Sequence, residues 1–453
     1  MRDKEISRFL KPLAVIGLIL VIVGLYWYGA VEHLTRVNTD IDSTDQSAYL
    51  NYARRLSESN YNFIGGRNRM PVYPVLQSLF YNQDMTDEAF FARGKYINIV
   101  LSFGLLAGLA LIFRKYFSWL HSLNLLLIVA FTVFIFKAGY FKAELLYYFL
   151  NFCLFLLMWK FFQQISWRLA ILTGIVAGLA HLTKASVLPG LVIFMVLAGG
   201  KWVWIALRNR HSCGDPIPTK SILSHLLAVL LVGVFFLITV FPYINTSKRV
   251  FGHYFYNVNS TFYIWYDSWE EAKQGTRAHG DRVGWPNMPP EEIPSLSKYL
   301  REHTLQQIIS RIVIGGRKVL SSVVNSYGYF KYIVVFSCLL IIAFLGSWRR
   351  AIQAVMSKPF YSIFLVLYFT GYTLLYFWYA PIHGGNRLIL AQFIPFMFTV
   401  SYWLHSLLIS SRFKARGHSI NSLVIINLAI LTIVIFDIYF VLTERVARMY
   451  GGW

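Results

Sequence analysis

The feature that most constrains this chain is the recurrence of apolar stretches, each close to the length of a membrane span, from the N-terminus almost to the end. An α-helix rises about 1.5 Å per residue, so about 20 apolar residues cross the roughly 30 Å hydrocarbon layer of a bilayer. Within that layer a helix satisfies its own backbone polar groups, which an irregular chain does not. Stretches of this kind fall near residues 13–31, 97–113, 120–136, 143–162, 168–183, 186–207, 221–242, 329–347, 359–379, 388–409 and 421–442. The expected fold is therefore an all-α integral membrane protein of about 11 transmembrane helices, one polytopic domain over residues 1–453. With 57% of residues hydrophobic and 14% charged, a chain of soluble domains is excluded.

The first apolar run follows Arg2, Lys4, Arg8 and Lys11. It is long for a signal-peptide core and lacks a small-residue cleavage site, so it is expected to be retained as the first helix. The formal charge of +21 would suggest a nucleic-acid partner in a soluble protein, but no basic, Gly-rich or aromatic-interleaved motif accompanies it. Position matters more than the sum, because short cytoplasmic connections are rich in Lys and Arg. Alternate connections fit that rule: Arg114-Lys115, Lys160 to Arg168, Arg208 to Lys220, Arg349 to Lys358 and Arg412 to Arg416. Together with the N-terminus they hold only Asp3, Glu5 and Asp215 as acids, and the other acids fall on the opposite side. The N-terminus is thus expected in the cytoplasm. The compact chain, with no added soluble domain, suggests a bacterial plasma membrane. Cys153, Cys213 and Cys338 form no disulfide framework and have no metal-ligand spacing, so no metal is assigned, and the need for a divalent cation stays open.

Two outer loops, about 31–96 and 242–327, are too long to be plain connections. The first contains NTDIDSTDQSAYLNYARRLSESNYNFIGGRNRMPVYP. Ser43 and Gln46 have the spacing of a capping box, and Tyr49, Tyr52, Ala53 and Leu56 recur at helical spacing. A short juxtamembrane helix is expected, with Asp45 near its start on the same face as Tyr49. Asp45 is the candidate catalytic carboxylate, the other role being that of a helix N-terminal acid. Asp40 and Asp42 read as solvated or turn-forming acids. In the second loop, TFYIWYDSWEEAKQGTRAHGDRVGWPNMPP precedes a helix over 295–324 whose apolar side holds Leu305, Ile308, Ile309, Ile312 and Val313. It suits a lid or acceptor-binding region, and equally a passive amphipathic cap.

The short outer connections each carry ionisable groups where few cations belong. KAGYFKAELLYYF holds Lys137, Lys142 and Glu144, GLAHLTKASVLPG holds His181 and Lys184, and YAPIHGGNRLILAQFIP holds His383, Asn386 and Arg387. All end on the face of Asp45. A charge carried into the apolar interior costs roughly 2.5 to 3.5 kcal/mol at a helix centre, so cations held there imply an anionic partner, which a lipid phosphate would satisfy. Lys137 and Lys142 have snorkelling to headgroups as their other role, and His181 that of a packing histidine. Arg387 follows two glycines and presents a fork suited to bidentate phosphate binding.

Several of these segments resemble the glycosyltransferase C superfamily, in particular the family 39 branch of protein mannosyltransferases and lipid A aminoarabinose transferases. The similar features are Asp45, Tyr49 and Ala53, then Arg69, Pro71, Tyr73 and Pro74, then Ala92-Arg93, Glu144, Gly178 to Lys184, and Gly385 to Pro395. The chain departs from the family where Gln46 stands in place of the second acid that often follows the first, which weakens any carboxylate pair or metal site there. The resemblance implies an inverting membrane enzyme that moves a sugar from a polyprenyl-phosphate donor to an acceptor hydroxyl on a lipid, glycan or protein, on the outer face of the membrane. It implies Asp45 as general base, with Lys184, Arg387 and Arg93, then Lys137 and Lys142, on the donor phosphate. Tyr49, Arg69, Glu144, His181 and His383 would contact substrate. The alternative from another class is a transporter or flippase of a lipid-linked sugar. Transporters place ionisable groups near the midplane rather than at one face.

Overall fold

A computed structural model describes residues 2–209, 219–281, 288–382, 387–409, 411–415 and 418–448. Every one of the expected spans falls on a helix. Among the described residues, eight helices are long and apolar enough to cross a membrane, and a ninth span arises if Phe330–Gly346 and Trp348–Ser357, bent by 102°, are taken together. The chain is an integral membrane protein. Trp167–Thr183 is apolar but has only 17 residues. Arg387–Leu408 is helical where a span is expected and is largely buried. A two-stranded antiparallel hairpin, Arg412–Ala415 with His418–Asn421, departs from the all-α expectation.

The helices differ in how deeply they sit. Trp119–Ala138 is 78% buried along its apolar window and Val15–Arg36 only 17%, so the third span is the bundle's centre and the first is peripheral. Glu144–Gln163 packs beside the centre against Trp167–Thr183 and Arg387–Leu408. Trp167–Thr183 lies along Thr219–Phe251, where a Cβ on Gly174 would press into the Val232 carbonyl. Small residues let helix backbones approach where lipid supplies no hydrophobic drive between them.

The two long loops are structured. Gln46–Glu58 and Val72–Ser78 pack on each other over an apolar cluster of Tyr49, Leu50, Tyr73, Phe90, Phe91 and Phe141. The expected capping box at Ser43 does not form. Gln46 is fully buried and trades two hydrogen bonds with the Asn38 amide, at 2.9 and 2.7 Å, while its Oε1 also accepts from Phe141 N at 2.8 Å. An amide both donates and accepts, and here it ties the end of the first helix, the start of the loop helix and the 139–143 connection together.

The expected helix over 295–324 is two helices, Leu296–Glu302 and Leu305–Val324, broken at His303-Thr304, where Thr304 and Gln307 form a capping box. The second helix runs along Pro359–Tyr379, and a Cβ on Gly315 would collide with the Phe377 carbonyl. Arg311 and Gly315 are on its buried face, whereas Leu305, Ile309, Val313 and Leu320 are exposed as an apolar stripe.

Candidate active site

Asp45 caps the helix Gln46–Glu58 by position, but its side chain makes no cap hydrogen bond. Its carboxylate points away from the helix and into an ion-pair cluster. Arg69 Nη2 lies 2.5 Å from Oδ1 and Arg387 Nη1 lies 2.6 Å from Oδ2. The same Arg387 nitrogen is 3.9 Å from Glu144 Oε1, and Lys184 Nζ approaches that oxygen to 3.6 Å. Five charged groups from five segments are therefore in one cluster, three cations and two carboxylates.

Local structure explains how each arrives. Glu144 is the first residue of Glu144–Gln163, where an acid complements the helix dipole. Arg387 opens Arg387–Leu408, and Lys184 terminates Trp167–Thr183 in extended backbone, so both reach the mouth of the bundle from helix ends. Arg69 follows a turn in which Arg67 has a positive φ of 59°. Arg67 is buried and anchors that turn, bonding to Ser247 Oγ at 2.8 Å with its guanidinium over the Tyr243 ring. Local pattern does not mark Arg67 rather than Arg69 as the anchor, because its partners Ser247 and Tyr243 lie far away in sequence.

Asp45, Tyr49, Arg69, Lys184 and Arg387 line a cavity of about 790 Å³. Leu188, Pro189, Leu375 and Tyr376 give the cavity apolar lining, and Asn257, Asn259, Ser260, Tyr263, Trp269 and Arg277 of the second long loop also line it. Burial alone would push the Asp45 carboxyl up, but the guanidinium groups of Arg69 and Arg387 outweigh it and hold the group below the usual aspartate range. Burial lowers Lys184, which lies between two helices, to about 8, and Glu144 opposes that shift. Lys142 is lowered to about 7 by burial, again against the attraction of Glu144. Glu144 Oε2 and Arg69 Nε are buried with no hydrogen-bond partner among the described residues. Among the described residues no three His, Cys, Asp or Glu side chains gather as metal ligands.

No family model matches the chain, and no curated protein matches it. Among solved structures it is similar to ArnT from Cupriavidus metallidurans bound to undecaprenyl phosphate, with 13% identity, a TM-score of 0.38, and coverage of 87% of this chain and 77% of that one. At that score only the cluster's own geometry speaks to its chemistry.

The remaining candidates lie at varied distances from the cavity. Tyr49 is buried under Arg69, whose guanidinium is 5.5 Å from its ring centroid. Lys142 is buried beside the Tyr140 ring and near enough to Asp45 and Glu144 to feel their charge, without lining the cavity. Lys137 is buried and donates to Tyr327 Oη at 2.9 Å. His181 is packed edge-on against Phe236 and Phe255. Arg93 is exposed, donates to the Phe80 carbonyl at 3.2 Å and is not part of the cavity wall. His383 lies outside the described residues. Such a site can hold an anion on its cations while Asp45, the carboxylate of the cluster that lines the cavity, stands beside it, with apolar lining suited to a lipid chain.

Proposed function

We propose that this protein is a membrane glycosyltransferase that moves a sugar from a polyprenyl-phosphate donor to an acceptor hydroxyl. The observation that carries this reading is the Asp45 carboxylate held between Arg69 and Arg387 on the wall of a cavity that also holds Lys184 and an apolar flank. A leaving phosphate is already a stable anion, so it needs cations rather than a proton. One base therefore suffices, in contrast to the two carboxylates of glycoside hydrolysis.

In this mechanism the acceptor hydroxyl attacks the anomeric carbon from the face opposite the phosphate. Asp45 takes the hydroxyl proton as the new C–O bond forms, and the electron pair of the breaking C–O bond stays on the polyprenyl phosphate. One displacement inverts the anomeric centre, and protonated Asp45 then returns its proton to water. Lys184 and Arg387 stabilise the departing phosphate, with Arg69 beside them. Glu144, buried and not on the cavity wall, keeps Lys184 and Arg387 in place. The second long loop, roofing the cavity with Asn257, Asn259 and Tyr263, is the acceptor side. The basic connections at the opposite end support a site on the outer face, and a bacterial plasma membrane is the location we propose.

The test uses purified protein, a polyprenyl-phosphate-linked sugar and a panel of lipid, glycan and peptide acceptors. Wild type transfers sugar, and Asp45→Asn lowers the rate by at least about 100-fold, the usual scale for losing a general base. Transfer by D45N at the wild-type rate would remove Asp45 from the mechanism. Donor translocation across proteoliposomes with no sugar released from any polyprenyl donor would favour a flippase instead.

A further inference from the structure

Resting on the glycosyltransferase reading, we propose that the donor phosphate takes Arg69 and Arg387 from Asp45 as it binds, releasing the carboxylate to act as base only when the donor is in place. Three features of the cluster lead to this exchange.

The first is occupancy. Oδ2 of Asp45 accepts a hydrogen bond from Arg387 at 2.6 Å, Oδ1 is ion-paired with Arg69 at 2.5 Å, and no bond to its own helix holds the carboxylate otherwise. A carboxylate held by one charge-assisted hydrogen bond and a second guanidinium ion pair has little affinity for a further proton, so a base in this arrangement is a suppressed base. The second is that both arginines line the cavity beside Lys184, where a lipid-linked phosphate would sit. Arginine's fork fits phosphate and carboxylate alike, so the two anions compete for the same donors. Arg69 Nε is buried without a partner among the described residues, which leaves its fork donor capacity for a phosphate oxygen. The third is charge. Three cations face two carboxylates within 4 Å, and buried Lys142 and Lys137 act on Glu144 from just beyond, so the site carries an excess of positive charge that a phosphate offsets. Glu144, the more buried acid, keeps Lys184 as its own partner while Asp45 gives up the arginines.

The consequence for catalysis is order. Asp45 accepts the acceptor's proton only after the phosphate has taken its partners, and when polyprenyl phosphate leaves, the arginines return to Asp45 as its proton passes to water. An acceptor bound without donor meets no free base.

The experiment measures binding of polyprenyl phosphate, the product without a transferable sugar, to detergent-solubilised wild type, D45N and Asp45→Ser by calorimetry, with melting temperatures recorded alongside. Removing the competing carboxylate is expected to tighten binding about tenfold in both variants, the scale of one charge-assisted hydrogen bond, although both have lost transfer. Equal or weaker binding by folded variants overturns the exchange, since Asp45 would then only position the arginines. Failure of wild type to bind polyprenyl phosphate would sink the glycosyltransferase reading itself. A second measurement needs no variant: infrared difference spectra of wild type on adding polyprenyl phosphate show a carboxylate band moving as an aspartate loses its arginine partners. Absence of that band overturns the exchange even if the variants do not fold.

Discussion

Lys184 illustrates how a single residue's surroundings become a measurable behaviour. Burial lowers its ammonium to about 8 against the pull of Glu144. The charged form that would hold a phosphate is therefore present below about pH 8 and is lost as pH rises through that value. Asp45, held below the usual aspartate range, stays ionised over the same interval and contributes no limb there. Donor KM is expected to rise on the alkaline side in wild type. Lys184→Arg, charged throughout, should shift that limb upward by a unit or more, and Lys184→Gln should raise KM at every pH without a limb. A pH profile of K184R that superimposes on wild type would show that another group sets the limb. At this scale the sequence was informative where local pattern decides. Helical spacing from Tyr49 turned Asp45 toward the apolar face, and the structure places it on the cavity wall. It was silent where partners are hundreds of residues apart. The two glycines before Arg387 favour it over Arg93, yet no local pattern shows that Arg387 pairs with Asp45 while Arg93, one turn and more inside Asp87–Tyr116, is exposed and bonded to a carbonyl.

Whole elements are fastened by arginine forks that the apolar pattern cannot reveal. Buried Arg311, on Leu305–Val324, pairs with Asp267 at 2.8 Å and donates to the carbonyls of Tyr266 at 2.7 Å, Ile264 at 3.2 Å and Trp378 at 3.1 Å. Trp378 Nε1 donates to Ile264 O at 2.8 Å, and His303 reaches the other Asp267 oxygen at 2.7 Å. This clasp joins the cavity roof around Tyr263 and Ile264 to the end of Pro359–Tyr379. The sequence suggested an apolar side for this helix but not that an arginine sits at its centre, since hydropathy scores a buried guanidinium as a surface residue. Asp267 is partly exposed, so the ion pair itself is worth little, and the carbonyl bonds supply most of the fastening. Arg311→Lys keeps the charge but not the fork. It is expected to loosen the roof by about 1 to 3 kcal/mol, the cost of leaving buried acceptors unpaired. Limited proteolysis should then cut between residues 258 and 303 faster, with the melting temperature of the bundle nearly unchanged and acceptor KM raised. Unchanged cleavage in R311K would assign the fastening to the aromatic packing instead.

At the scale of the molecule, the ends of the bundle differ in kind. One end gathers the ion-pair cluster, both long loops and the buried Asp437, which bonds Tyr332 and pairs with Arg445. The other gathers short connections bearing Arg114, Lys115, Arg168, Arg349, Arg350 and Lys358. Span positions were legible because a bilayer's thickness sets a length that hydropathy reads directly. The sharp bend after Gly346 and the hairpin from Arg412 were not, because they form where the chain leaves the apolar layer and turn chemistry, rather than hydropathy, decides its path. The asymmetry predicts orientation, since Lys and Arg in short connections hold those connections in the cytoplasm. In a variant with all three cysteines replaced by serine, Asn60→Cys should react with a membrane-impermeant maleimide on intact cells. Ser357→Cys should react only after permeabilisation, both positions being exposed in the structure. Labelling of both without permeabilisation would mean that the basic end is not separated from the site end by a membrane. Labelling of S357C alone would invert the chain, and the cavity would then have to draw its donor from the cytoplasmic leaflet, with the basic connections facing outward against the charge rule.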